Sequence, residues 1–172
     1  MFNARYKKDR QVYQILDTSI DSLLGITMFL VWYQNEWRWL FASDFYPPNV
    51  EIKEKVIVAG SRNFQNYPLL SKELDKIQSK IEIIVCGDAK GADEMGARYG
   101  KIHNIPVKHF PADWGKWGQS AGFIRNKEMA EYADSLVAFW DGASTGTKDM
   151  IEKMQKQGKE VKIIYFNKKE EE

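Results

Sequence analysis

From Lys55 onward the chain alternates short apolar runs with amphipathic stretches, and this alternation constrains the fold more than any other feature. Val56–Ala59, Ile81–Val85, Pro106–His109, Ser135–Phe139 and Val161–Tyr165 read as strands, and the stretches near Pro68–Ser79, Ala92–His103, Ala121–Tyr132 and Thr147–Gln157 read as helices. Leu70, Leu74 and Ile77 recur at helical spacing in the first helix, as do Met150, Ile151 and Met154 in the last. Near-continuous apolar strands need cover on both faces, which is the condition of a parallel sheet. Right-handed crossovers then wind helices over both sides and leave a ligand crevice at the carboxyl edge of the strands. The pattern predicts an α/β doubly wound parallel sheet of about five strands over residues 55–167.

Three glycine-bearing turns fall on that carboxyl edge. Gly60-Ser61-Arg62 follows the first strand, Gly87-Asp88-Ala89-Lys90-Gly91-Ala92-Asp93 the second, and Asp141-Gly142-Ala143-Ser144-Thr145-Gly146-Thr147 the fourth. A glycine turn feeding a helix exposes backbone N–H groups at the positive end of the helix dipole, a natural place for an anion. Gly60, Gly87 and Gly91 admit close approach of a ligand or serve plain chain reversal. Ser61 offers a hydroxyl, and Arg62 a bidentate fork for phosphate. Asp88 and Asp93 either cap a helix or accept hydrogen bonds from ribose hydroxyls. Ser144, Gly146 and Thr147 supply N–H and O–H donors for phosphate. Arg125 and Asn126 begin a helix just after a connection, Phe110 to Ser120, that carries Trp114 and Trp117, which read equally as core or interface aromatics or as rings for stacking on a base. Neither a Walker A sequence nor G-x-G-x-x-G is present, so the ATPase and dinucleotide dehydrogenase readings lose their main support.

Residues 1–50 follow a different grammar. Gln11–Leu16, Ile26–Tyr33 and Trp37–Phe41 read as antiparallel strands, with a hairpin turn at Gln34-Asn35-Glu36. A meander or small barrel of three or four strands is expected, with Pro47-Pro48-Asn49 as a linker. So small a β region is marginal alone. Its aromatic strands therefore point to packing on the rest of the chain or on a second copy.

A net charge of +1 over 172 residues provides no global attraction to nucleic acid or anionic membranes. Cys86 is the single cysteine, which excludes an intramolecular disulfide and a cysteine-built zinc site and fits a reducing compartment. His103 and His109 have no third ligand nearby in the pattern, so no metal or other cofactor is expected. The longest apolar run, Ile26–Tyr33, is too short for a membrane helix, and no leader pattern opens the chain. A cytoplasmic location is the expectation. The terminal Lys168-Lys169-Glu170-Glu171-Glu172 reads as a solvated tail.

Taken in order, Val56–Gly60–Ser61–Arg62, Gly87–Asp93, Phe110-Pro111-Ala112-Asp113-Trp114, Ala121–Asn126 and Ala138-Phe139-Trp140-Asp141-Gly142 through Gly146-Thr147 resemble the YspA/YpsA-related branch of the SLOG superfamily. The resemblance spans about residues 55–166. It implies a Rossmann-like domain that binds nucleotides or nucleotide-derived ligands, often as a homo-oligomer. The superfamily also holds LOG-type phosphoribohydrolases and the DNA-binding DprA proteins. In the LOG-type enzymes an arginine and a glutamate cleave the N-glycosidic bond of nucleoside monophosphates. Their arginine motif aligns with Arg125-Asn126, but Met150 stands where the glutamate is expected. A thioether neither stabilises an oxocarbenium-like centre nor activates water. Catalysis would then need Arg125 with a substitute carboxylate such as Asp141 or Asp93. The expected function is binding of a phosphate-bearing nucleotide derivative as a sensor or sequestering protein. N-glycosidic hydrolysis and single-stranded nucleic-acid binding are the alternatives.

Overall fold

The computed structural model describes residues 1–8, 11–46 and 53–166. The expected linker at Pro47–Asn49 and the tail at Lys168–Glu172 lie outside the described residues. The chain divides into two compact units, Met1–Glu51 and Ile52–Glu172.

The first unit has five described strands in two small antiparallel sheets, where three or four strands were expected. Strands β1 (Phe2–Arg5) and β2 (Val12–Ile15) pair with each other. Strands β3 (Asp17–Asp21), β4 (Ile26–Tyr33) and β5 (Glu36–Phe41) form a meander. β3 escapes a pattern reading because Asp17-Thr18-Ser19-Ile20-Asp21 is an edge strand exposed along its whole length, with one large apolar residue. At the β4–β5 hairpin, Gln34 and Asn35 both take positive φ (51° and 64°), as a two-residue hairpin turn requires. Ala4, Tyr6, Ile15, Val31, Tyr33 and Phe45 make the core of this unit.

The second unit is the expected Rossmann-like sheet. Strands β6 (Glu54–Gly60), β7 (Ile81–Cys86), β8 (Val107–His109), β9 (Ser135–Trp140) and β10 (Glu160–Tyr165) lie in the order β10-β9-β6-β7-β8, all parallel. Helices α1 (Tyr67–Asp75), α2 (Ala92–Ile102), α3 (Trp114–Trp117), α4 (Ala121–Tyr132) and α5 (Thr145–Lys156) connect them. Alternation along the strands divides the core into two layers. Val56, Val58, Val137 and Phe139 face Leu70, Leu74 and Tyr99, whereas Ile57, Ala59, Leu136 and Ala138 face Met129, Ala130, Met150 and Met154. Burial on both faces explains the unbroken apolar runs.

Two local expectations need correction. The first helix stops at Asp75 rather than Ser79, and a separate 3₁₀ turn covers Gln78–Lys80. The Phe110–Ser120 connection is not a plain loop. Asp113 caps α3 by accepting the N–H of Lys116 at 2.9 Å, and Gly118–Ser120 then leads into α4. Because β6 sits between β7 and β9, the chain runs outward on one side and then on the other. The crossovers therefore diverge above β6 and β9, which is where a doubly wound sheet opens a crevice.

Candidate functional site

A cavity of about 670 Å³ occupies that divergence, at the carboxyl ends of β6 and β9. Eleven of the fourteen residues singled out by sequence line it: Gly60, Ser61, Arg62, Asp93, Trp114, Arg125, Asn126, Asp141, Ser144, Gly146 and Thr147. Gly87, Asp88 and Gly91 stand beside it without lining it. The omission of a side chain at Gly60 serves packing, because a Cβ there would overlap the Phe139 carbonyl and Ala92. Gly91 has φ +82°, and a Cβ would press on the backbone of Ser61 and Arg62. Asp88, also at positive φ (57°), pairs with Nδ1 of His109 at 2.5 Å on the rim. Trp117 is exposed and away from the cavity lining, so of the two tryptophans Trp114 is the one at the cavity.

The walls are braced by hydrogen bonds. The Asp141 carboxylate accepts from the N–H groups of Ala143 (3.0 Å) and Ser144 (2.8 Å), folding its own turn into the start of α5. Burial raises its pKa, but these N–H donors and the Ser61 hydroxyl outweigh that effect and hold the group below the ordinary carboxylate range. The Ser61 hydroxyl, itself buried, accepts the Asp141 N–H at 3.2 Å, joining the first turn to the last. Asn126 is a buried bracket: its Nδ2 donates to the Gly146 carbonyl (3.1 Å) and to Asp149 (2.8 Å), and its Oδ1 accepts from Arg125 Nε (3.1 Å). Thr147 Oγ1 donates to Ser144 Oγ at 3.0 Å. Arg125 reaches across to donate to the Gly87 carbonyl, and its Nη1 stands 3.9 Å from Asp93.

Two of the helices that begin on this edge, α2 and α5, differ electrostatically. α2 starts with Asp93 and Glu94, so its positive end already holds the protein's own carboxylate. α5 has no acidic residue in its first turn, and a Cβ added at Gly146 would meet open space. The turn Gly87–Asp93, which reads in sequence as an anion site, is thus internally neutralised. Asp141 takes the N–H groups of Ala143 and Ser144 before α5, while the first turn of α5 itself, Thr145–Thr147, carries no acidic residue. The spacing of glycines does not distinguish them. The acidic residue one position inside α2 is the signal that does.

Sequence reasoning missed Phe123, which lines the cavity while remaining 47% exposed. Its place two residues before Arg125 on α4 was the available clue. The Trp114 ring lies 3.5 Å from where a Cβ of Gly122 would be, so two aromatic side chains share the mouth of the cavity. Met150 is almost fully buried and forms part of the floor beside Met129. The cavity thus combines two guanidinium groups, a helix N-terminus, an aromatic mouth and an apolar floor.

Comparison with known proteins agrees with this architecture. The model of the YspA, cpYpsA-related SLOG family matches residues 54–117. The Gene 61 protein of Mycobacterium phage D29 is 31% identical over 125 residues, covering 67% of this chain and 98% of that protein. DNA processing protein A (DprA) from Streptococcus pneumoniae superposes with a TM-score of 0.58 at 15% identity, over 69% of this chain and 52% of its own. The match spans about half of that DprA chain, and the likeness is one of fold. No described helix is long and apolar enough to cross a membrane.

Proposed function

Because the chain belongs to the YspA, cpYpsA-related SLOG family, we propose that its second unit binds a phosphate-bearing nucleotide or nucleotide-derived ligand, acting as a sensor or sequestering protein. The observation that carries this reading is the convergence of Arg62, Arg125 and the first turn of α5 on one cavity whose mouth holds Trp114 and Phe123. Guanidinium groups and unpaired helix N–H groups suit phosphate, and aromatic faces suit a base. The volume lies in the range of small-molecule sites.

Binding is favoured over turnover by the carboxylates. Met150 stands where a catalytic glutamate is expected, one oxygen of Asp141 is occupied in its turn, and Asp93 is almost fully buried and lies 3.9 Å from Arg125. Native mass spectrometry of freshly purified protein, followed by incubation with AMP and ADP-ribose, tests the reading. The expected result is bound nucleotide recovered unaltered after denaturation. Release of free base that disappears in Arg125→Ala would establish the N-glycosidic hydrolase instead. Oligonucleotide binding with steep salt dependence would favour a nucleic-acid ligand, against which the net charge of +1 argues.

The first unit supplies a surface for self-association. The register pairs Trp32 with Trp37, Leu30 with Trp39 and Met28 with Phe41, which puts these six side chains on one face of the meander. Trp32, Trp37, Trp39 and Phe41 are each roughly half exposed. Half-exposed aromatics offer on the order of 100 Å² each, so four of them, with Met28 and Leu30, approach the lower size of a specific interface between two copies.

A further inference from the structure

We propose that Asp93 is a positioning residue: its ionised carboxylate holds Arg125 and the turns after β6 and β7 in the geometry that receives ligand, without contacting ligand itself. The inference rests on the binding reading above and assigns one of its residues a different task from the ribose contact that sequence suggests.

The geometry is that of a tie point. Asp93 is 4% exposed. Its Oδ2 accepts the N–H of Gly87 at 3.0 Å, and the backbone N–H groups of Ala89 and Gly60 also favour its charged form. Those three N–H groups belong to two different turns, and Arg125 comes from α4, a third element. One carboxylate thus adds to the β6–β7 pairing and to the Arg125–Gly87 carbonyl bond a further link between the turn after β7 and α4. A capping residue that served only α2 would bond the N–H groups of its own helix. Asp93 instead accepts the N–H of Gly87, which precedes it in the turn after β7.

The charge is necessary to the arrangement. An ionised carboxylate accepts several N–H bonds and attracts a guanidinium, whereas a protonated one loses both advantages. The titratable and charged groups that face Asp93 are Arg125 from α4 and the Cys86 thiol at the end of β7. The thiol pKa is pushed up by burial and by Asp93 itself, so Cys86 remains neutral. Burial raises the pKa of Asp93 to about 6, with Arg125 and the three N–H groups opposing the rise. The carboxylate is therefore ionised at neutral pH and takes up a proton under mild acidity.

Asp93→Asn keeps the shape and removes the charge. ADP-ribose is the probe, because its pyrophosphate diester does not titrate near neutral pH. By calorimetry, Asp93→Asn is expected to weaken ADP-ribose binding about tenfold, and Asp93→Asn combined with Arg125→Ala to bind no more weakly than Arg125→Ala alone. Losses that add would mean that Asp93 touches ligand directly, and would overturn the proposal. A second readout needs no ligand: amide exchange at Gly87 should accelerate in Asp93→Asn while the central strands keep their protection. Unchanged exchange there would also overturn it. If the variant folds poorly, acidifying the wild type through about pH 6 performs the same experiment. Failure of wild-type protein to bind any nucleotide would remove the binding reading, while the exchange measurement still decides the role of Asp93.

Discussion

The Cα of Gly87 lies against the guanidinium of Arg125, so that a methyl group built on the glycine would overlap the side chain. Gly87 takes no unusual φ, and the space alone demands glycine. Since the clash is with the far end of a flexible side chain, Gly87→Ala is expected to displace Arg125 at small cost to the fold. Its loss of nucleotide binding should match that of Arg125→Ala, with the melting temperature little changed. Calorimetry and thermal unfolding of the two variants check this.

Gly146 presents the opposite case. It lies within α5, lines the cavity, and has open space where a Cβ would be. Replacing a helical glycine by alanine stabilises a helix by roughly 0.5–1 kcal/mol. Gly146→Ala should therefore raise the melting temperature while weakening nucleotide binding, because the new methyl projects into the cavity, where the proposed phosphate would sit. A variant that is more stable and binds equally well would place the anion elsewhere.

The buried Asp93 makes stability depend on pH in a defined direction. Burial raises its pKa from 3.8 to about 6. Between about pH 4 and pH 6 the native state thus binds more protons at this site than the unfolded state. Its contribution to stability is fullest below the lower value and is lost as pH rises through the higher one. A shift of this size corresponds to roughly 3 kcal/mol. Glu73, lowered mainly by its hydrogen bond to Lys162, acts in the opposite sense, as does Asp141. Both are common to wild type and Asp93→Asn, so the difference between the two proteins isolates Asp93. The stability of Asp93→Asn minus that of wild type should increase from pH 4 to pH 7, as read by denaturant unfolding.

Introducing a carboxylate at Met150 examines the missing glutamate. Met150 is 2% exposed and packs in the apolar layer with Met129 and Met154. Met150→Glu should lower the melting temperature by several degrees, since an unpaired buried carboxyl is costly. Chromatographic detection of free adenine from AMP should be negative for wild type. Its appearance in Met150→Glu would indicate that Arg125 and the α5 cradle already hold the substrate correctly.

Self-association through the meander face has a direct test. Sedimentation of wild-type protein at micromolar concentration is expected to show dimer, and Trp39→Glu to show monomer with nucleotide binding retained. A wild type that remains monomeric removes the interface.

Much of this protein was written in its local sequence pattern. The apolar runs in β6, β7 and β9 required a sheet covered on both faces, and the glycine turns could only lie where strands give way to helices. Local rules also placed Gln34-Asn35 in a hairpin and Asp141 at a turn. They failed where a signal was weak or shared. β3 is an exposed polar edge, and α3 is four residues long, so neither has a periodicity to read. What only the tertiary structure decided is which helix start is filled by a carboxylate of the protein and which is left without one. That depends on Asp93 folding back to Gly87, and on Arg125 crossing from α4 to the same point. Periodicity and propensity act over a few neighbouring residues, whereas electrostatic pairing is settled by groups that meet only after the sheet has assembled.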